Sequence, residues 1–277
     1  MRFKDTISGI DGVTIGMPAT IKPLIGRRHH MLDFKVTANT SVAGNAAITD
    51  AGLIIDNVEQ YVGTTLVRNS TATEILKIAA LNGITVPANH LPIFYSEPQR
   101  ATVMDEQVTA WEMRGVNDFT IKPTFIAAIQ AGTLAVASAV DTYDFEATLI
   151  GGKIARNILF HEPQTWTAGG AGLVSITNLR PGLPLNRIYF TTSANAISRV
   201  EVIADGVKVH DMTKESNDFA LKQYGLDGTQ FSYALCFDET GQVFNNLYPK
   251  QTLQINVYVT GACTLRGLIE TLRGDYV

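Results

Sequence analysis

The sequence predicts an all-β chain folded as two tandem eight-stranded jelly-roll barrels (a double jelly roll) with short decorating helices. Two observations carry this. Many short alternating segments are bounded by turn signals, which argues for a sandwich or barrel. One motif also occurs twice, about half a chain apart, which argues for an internal duplication. The first barrel is expected over residues 1–140, with an extended arm at about 1–26, and the second over 141–277, with the boundary at 141–144.

The clearest copy of the motif is RVEVIADGVKVHDMTKESNDFALKQYGLDG at 199–228. Val200 and Val202 share one face and Glu201 and Ile203 the other, the period of two that marks a strand. Asp205-Gly206 suits a two-residue hairpin turn, and Val207 and Val209 then alternate with Lys208 and His210. Ser216 can cap a brief helix that Gly225 ends. The earlier copy spans 53–83. There Asp56-Asn57 takes the place of Asp205-Gly206, and Thr71 and Glu74 have capping-box spacing. Leu76-Lys77 then matches Leu221-Lys222 and Leu81-Asn82-Gly83 matches Leu226-Asp227-Gly228, both at an offset of 145.

The other elements follow in order. Residues 1–26, punctuated by Gly9, Gly12, Gly16 and Gly26, read as an extended arm or first strand. In 31–36, Leu32, Phe34 and Val36 face a core while Asp33 and Lys35 face out. Residues 37–50 read as a loop, 91–98 as a short aromatic strand, and 103–114 as mixed alternation around Trp111. In 119–126, Phe119, Ile121 and Phe125 alternate with polar partners. The Ala-rich 129–140 reads as strand or helix. Short strands are expected at 145–150, 158–161, 173–176, 187–192, 231–237 and 253–259. A last strand or short helix falls at 265–272.

Composition limits the function classes. The chain has 277 residues, 45% of them apolar, enough for two cores. Only 17% are charged, a hint that much surface is buried against partners. A net charge of −4 provides no basic field, so direct nucleic-acid binding is not expected. Cys236 and Cys263 have neither metal spacing nor a disulfide framework and read as buried free thiols. No signal-peptide core follows Met1, and no apolar run approaches the roughly 20 residues of a membrane helix.

Each candidate for chemistry has a plainer reading beside it. Adjacent His29 and His30 on a strand point to opposite faces and cannot easily hold one ion, so with Arg27 and Arg28 they read as a surface or subunit-contact basic cluster. His161-Glu162 lacks the second histidine of a helical zinc site. Asp141, Asp144 and Glu146 do not form a calcium loop and read as solvated linker. Trp111 and Trp166 with Phe94 and Tyr95 form either a sugar platform or, more simply, core or interface packing. There is no nucleophile elbow and no phosphate loop. The expectation is therefore no catalytic residues, no cofactor-binding residues, no cofactor and no assigned metal residue.

Several runs resemble the double jelly-roll major capsid proteins of icosahedral bacterial viruses with an internal membrane, of the corticovirus type and the tectivirus-like lineage. They are GRRHHMLDF at 26–34, RVEVIADGVKV at 199–209, LDG at 226–228, YALCFD at 233–238 and LQINVYV at 253–259. The resemblance implies a coat protein that is not an enzyme. Its homotrimers would be pseudo-hexameric tiles of an icosahedral shell around a membrane. It implies neighbouring trimers, penton and membrane-associated virion proteins and a nearby lipid bilayer as partners, and assembly in the host cytoplasm. Some relatives bind calcium, and no motif here places such a site. The arm would contact a neighbour or the membrane side, so deleting residues 1–20 would leave trimers and impair shell assembly. Two rivals share the barrel: a duplicated cupin-like metalloenzyme, and a carbohydrate-binding or spike protein. The cupin needs a histidine cluster, and His29, His30, His90, His161 and His210 make no H-x-H pair.

Overall fold

The computed structural model describes residues 2–7, 15–36, 51–98, 106, 109–113, 115–126, 134–141, 158–194, 197–238 and 246–274. The chain divides into two compact units. Unit 1 comprises 1–79, 84–159 and 273–277, and unit 2 comprises 80–83 and 160–272.

Unit 1 contains β1 (Arg2–Ile7), β2 (Arg28–Val36), β3 (Ile55–Val62), β4 (Thr65–Thr71), α1 (Ala72–Leu81), β5 (His90–Phe94), β6 (Trp111–Glu112), β7 (Phe119–Phe125) and β8 (Leu134–Asp141). One sheet has the order β1-β8-β2-β5, with β6 also on β2, and a second contains β4-β3-β7. The second sheet gains a fourth member from residues 16–21. Gly16 and Ala19 donate backbone N–H groups to Phe125 and Pro123 carbonyls, at 2.8 and 2.9 Å. Ile21 and Ile121 exchange both bonds at 2.9 Å.

Over the described stretches 2–7 and 16–21 this corrects the arm at about 1–26, and the first-strand reading holds. β1 pairs with β8 from Arg2↔Asp141 to Ile7↔Val136, and 16–21 run antiparallel along β7, so both are strands of the barrel. The 16–21 stretch forms only isolated bridges because Pro18, bridged to Thr124, and Pro123, whose carbonyl accepts from Ala19, have no N–H to donate. Deleting 1–20 removes sheet strands rather than a free extension.

Unit 2 contains β9 (Ile158–Ala168), β10 (Gly172–Ile176), β11 (Leu185–Thr192), β12 (Ile197–Ala204), β13 (Val207–Thr213), α2 (Lys214–Gln223), β14 (Tyr233–Cys236), β15 (Leu253–Val259) and β16 (Cys263–Arg273). Its sheets have the orders β9-β16-β11-β14 and β13-β12-β15-β10. These are the unit 1 orders strand for strand, with β10 in the place of 16–21. Val200, Val202, Ile255, Val257, Phe190 and Leu265 form one continuous buried cluster between the sheets. The Ala-rich segment and the last segment, each readable as strand or helix, are the strands β8 and β16. The loop at 37–50, the strand expected at 145–150, and Asp144 and Glu146 lie outside the described residues.

The duplication is real, but its register is 142 residues rather than 145. Asp56 and Asn57 lie within β3, where Asn57 pairs with Thr71, so they do not form the turn. The turn is Gly63-Thr64. Gly63 has φ 59°, matching Asp205 at φ 51°, 142 residues on. Register shifts at Gln60/Tyr61 and Val202/Ile203, and at Ile55/Asn57 and Ile197/Arg199, keep the same spacing. Both helices end on a left-handed glycine, Gly83 and Gly225. Equivalent bonds close them, from Gly83 and Ile84 to Ala80 and Ala79, and from Gly225 and Leu226 to Lys222 and Leu221. These are Schellman ends. Gly228, which the sequence pairs with Gly83, instead opens a 3-10 turn.

The N-caps also match. Thr71 and Glu74 form the expected reciprocal box, at 2.9 and 3.2 Å. The second cap is Thr213, whose hydroxyl accepts from the Ser216 N–H, so Ser216 lies inside the first turn. A threonine three residues upstream won because it ends an extended strand, where an N-cap's β-region backbone is already in place.

Candidate functional site

The histidines test the enzyme readings directly. His29 is fully buried and donates from Nε2 to the Leu24 carbonyl at 2.7 Å. Burial holds its imidazole down at about 4, despite that bond. Arg28 and His30 are buried too, at 3% and 2% exposure, so the surface basic cluster is corrected. β2 sits between β8 at one edge and β5 and β6 at the other, and the His29 ring packs edge-on against Tyr95 and Phe119.

The remaining histidines are dispersed. His90 donates to Asp33 at 2.7 Å, His161 to Glu270 at 2.9 Å, and His210 to the Tyr233 phenol at 2.8 Å. Among the described residues no group of three or more His, Cys, Asp or Glu side chains can hold a metal ion. Cys236 and Cys263 are buried and free. Among the same residues no helix is long and apolar enough to cross a membrane.

The aromatic platform is core. Tyr95 and Trp111 are fully buried in unit 1 with ring centroids 4.4 Å apart, and Phe119 packs 5.6 Å from Trp111. Burial raises the Tyr95 phenol well above its ordinary value. Trp166 packs in unit 2, 6.4 Å from Phe190.

The strongest chemistry in each unit is a buried polar cluster that joins strands, and sequence reasoning missed both. In unit 1 the Arg68 guanidinium, on β4, donates to the Phe94 carbonyl at 2.7 Å and the Leu159 carbonyl at 2.8 Å. It lies 4.9 Å from the Trp111 ring and 5.6 Å from that of Tyr95. Carbonyl dipoles and π faces thus solvate a cation that burial alone would penalise.

In unit 2 Glu270, on β16, is the hub. It accepts from His161, from Tyr189 at 3.2 Å, and from the Asn186 amide. Burial pushes its carboxyl up, but the His161 bond and charge, with Arg187 and Asn186, outweigh that and hold it below the usual carboxylate range. Beside it Arg187 grips Asp238 in a two-pronged pair, 2.7 Å on each arm, and reaches Asn82 at 3.0 Å. Such a cluster fixes which strands meet.

The outer face of β12 and β13 carries a solvated ionic ladder. Arg199 pairs with Asp211 at 2.6 and 2.7 Å, and Lys208 reaches Asp211 at 3.0 Å and Glu201 at 2.5 Å. These bonds hold Asp211 far below its ordinary value.

Two units that repeat one strand order, each with a buried polar cluster between its strands, define a double jelly-roll protein. The chain belongs to the viral coat protein P2 family. The model of that family's N-terminal domain matches residues 5–141, and that of its C-terminal domain matches 158–274.

Solved structures agree in fold. The major capsid protein P2 from bacteriophage PM2 superposes with a TM-score of 0.81 at 19% identity, covering 98% of this chain and 97% of that one. The Sulfolobus turreted icosahedral virus structure gives 0.67 at 12%, covering 99% and 91%. The PBCV-1 virus capsid gives 0.60 at 8%, covering 98% and 94%. No curated protein sequence matches the chain. The protein is a viral coat protein with the double jelly-roll fold that the resemblance implied, and neither the cupin nor the carbohydrate-binding reading is favoured.

Proposed function

We propose that this coat protein acts as a homotrimer. Three chains place six barrels around a three-fold axis, giving a pseudo-hexameric tile for an icosahedral shell around an internal membrane. The observation that supports this most is that the two units repeat one strand order, down to the positions of their bulges and helix ends. Two like barrels in one chain make a three-fold ring nearly six-fold, and six-fold tiles pave a surface. Closed rings of identical subunits are a common form of assembly.

In this reading the protein works without a catalytic step or a cofactor. Its partners are other copies, penton and membrane-associated virion proteins and the bilayer beneath, with no direct contact to nucleic acid. Shells assemble in the host cytoplasm. Light scattering on the purified protein tests the trimer. The expected mass is three times 30.1 kDa, and a monomer at every concentration would refute it.

A further inference from the structure

The core of unit 2 reaches the surface at a small cavity. The connection 177–184 leaves β10 in one sheet and enters β11 in the other. Against it lies a cavity of about 100 Å³. Leu179, Leu185, Leu253 and Ile269 line it, and all four are buried members of the core cluster. The cavity wall is therefore the apolar core itself. An engineered apolar cavity of about 150 Å³ holds benzene, so this one suits a branched group of about four carbons.

Polar side chains share the lining. Glu162 and Gln164 of β9 are half-buried, and Asn178 and Arg180 of the connection are exposed. Arg180 makes no ion pair or hydrogen bond with any described residue. The Gln164 carbonyl accepts from Asn178 at 3.3 Å, and Asn178 accepts from Trp166 at 3.4 Å. Both bonds are long, and the Gln164 N–H groups are left as donors. Glu162, the one acid in the lining, has an interaction of its own.

We propose that this cavity binds a short branched aliphatic carboxylate, as a free acid or as the carboxyl end of a peptide that finishes in leucine. The isobutyl group enters the cavity and releases water from its apolar wall. The carboxylate stays at the mouth, where Arg180 and the Gln164 amide donate to it. A planar guanidinium matches a carboxylate through two parallel N–H···O bonds. An exposed arginine alone holds an anion weakly in water, so tail and charge act together. The site lies within unit 2 and stands whether or not three chains associate.

The test uses the full chain with isotope-labelled leucine and isoleucine methyl groups, titrated with isovalerate and followed by NMR. The Leu179, Leu185, Leu253 and Ile269 signals should shift together and saturate, with a dissociation constant on the order of 1 mM. Isovaleramide keeps the tail and loses the charge, and should bind about tenfold more weakly. Arg180→Gln should weaken isovalerate by a similar factor and leave isovaleramide unchanged, which separates a lost charge contact from a damaged fold. If that variant misfolds, the two ligands compared on the unaltered chain decide. Acetate, which lacks the tail, should not move these methyl signals. A short peptide ending in leucine, set against its amidated form, distinguishes the sources. Tighter binding of the free-carboxyl peptide than of isovalerate assigns the site to a peptide terminus, and weaker binding assigns it to a free acid. Isovaleramide or isopentylamine binding as tightly as isovalerate overturns the proposal. So does the lack of a saturable shift at about 50 mM isovalerate.

Discussion

The Arg187–Asp238 pair offers a sharp test of how the second barrel is held. Its side chains are 3% and 0% exposed, and both arms of the fork are 2.7 Å long. Removing one partner strands the other charge away from water, at a cost of about 3–5 kcal/mol. Asp238→Asn and Arg187→Met should each fall in that range. In a domain of this size that lowers the thermal midpoint by on the order of 10 °C or more. The double variant Arg187→Met/Asp238→Leu removes both charges and should cost far less than the two singles together, since apolar replacement of a buried pair is often near neutral. The coupling energy should therefore reach about 3 kcal/mol. Urea unfolding followed by circular dichroism measures it, with an unchanged slope confirming that stability alone moved. Raising the salt should leave the coupling nearly constant, because the pair is screened little. Singles costing under about 1 kcal/mol, or a double equal to their sum, would refute the argument that this pair is desolvated and interdependent.

Acid should weaken unit 1 through His29. Its imidazole titrates at about 4 in the folded chain and 6.5 unfolded. Between those values the unfolded state binds more protons, so stability present above pH 6.5 is lost as pH falls through 4. The loss is about 3 kcal/mol, and His29→Gln should flatten the pH dependence of unfolding in that window; an unchanged slope would count against it. Gly267 should resist enlargement, because a Cβ there would lie 2.8 Å from Trp166 and 3.3 Å from Phe190. Gly267→Ala should cost about 1–3 kcal/mol and shift Trp166 fluorescence, whereas a neutral variant would show that the indole moves aside freely.

The strands with clean alternation were legible in the sequence. Leu253, Ile255, Val257 and Val259 are all buried along β15, and Leu32, Phe34 and Val36 along β2. A strand with one face in a core must alternate, and that requirement is written locally. The capping box at Thr71 and Glu74 was legible for the same reason, since both groups lie within one helical turn. Glycine at a helix end was equally local, yet the letters misled the alignment. Leu-Asn-Gly and Leu-Asp-Gly look alike, but only Gly83 closes a helix, while Gly228 begins the next turn.

What the sequence determined by itself was the doubled all-β plan and, through it, the kinship to coat proteins. Periodicity, turn residues and a repeated order of elements depend on neighbours along the chain. The tertiary structure decided what depends on neighbours in space. It made residues 2–7 and 16–21 part of the barrel, because β8 and β7 offer edges 100 or more positions away. It buried Arg28, His29 and His30, and packed the His29 ring against Tyr95 and Phe119, more than 60 positions along the chain. It joined His161 to Glu270 and Arg187 to Asp238 across separations of 109 and 51 residues, and no local pattern encodes a partner that distant.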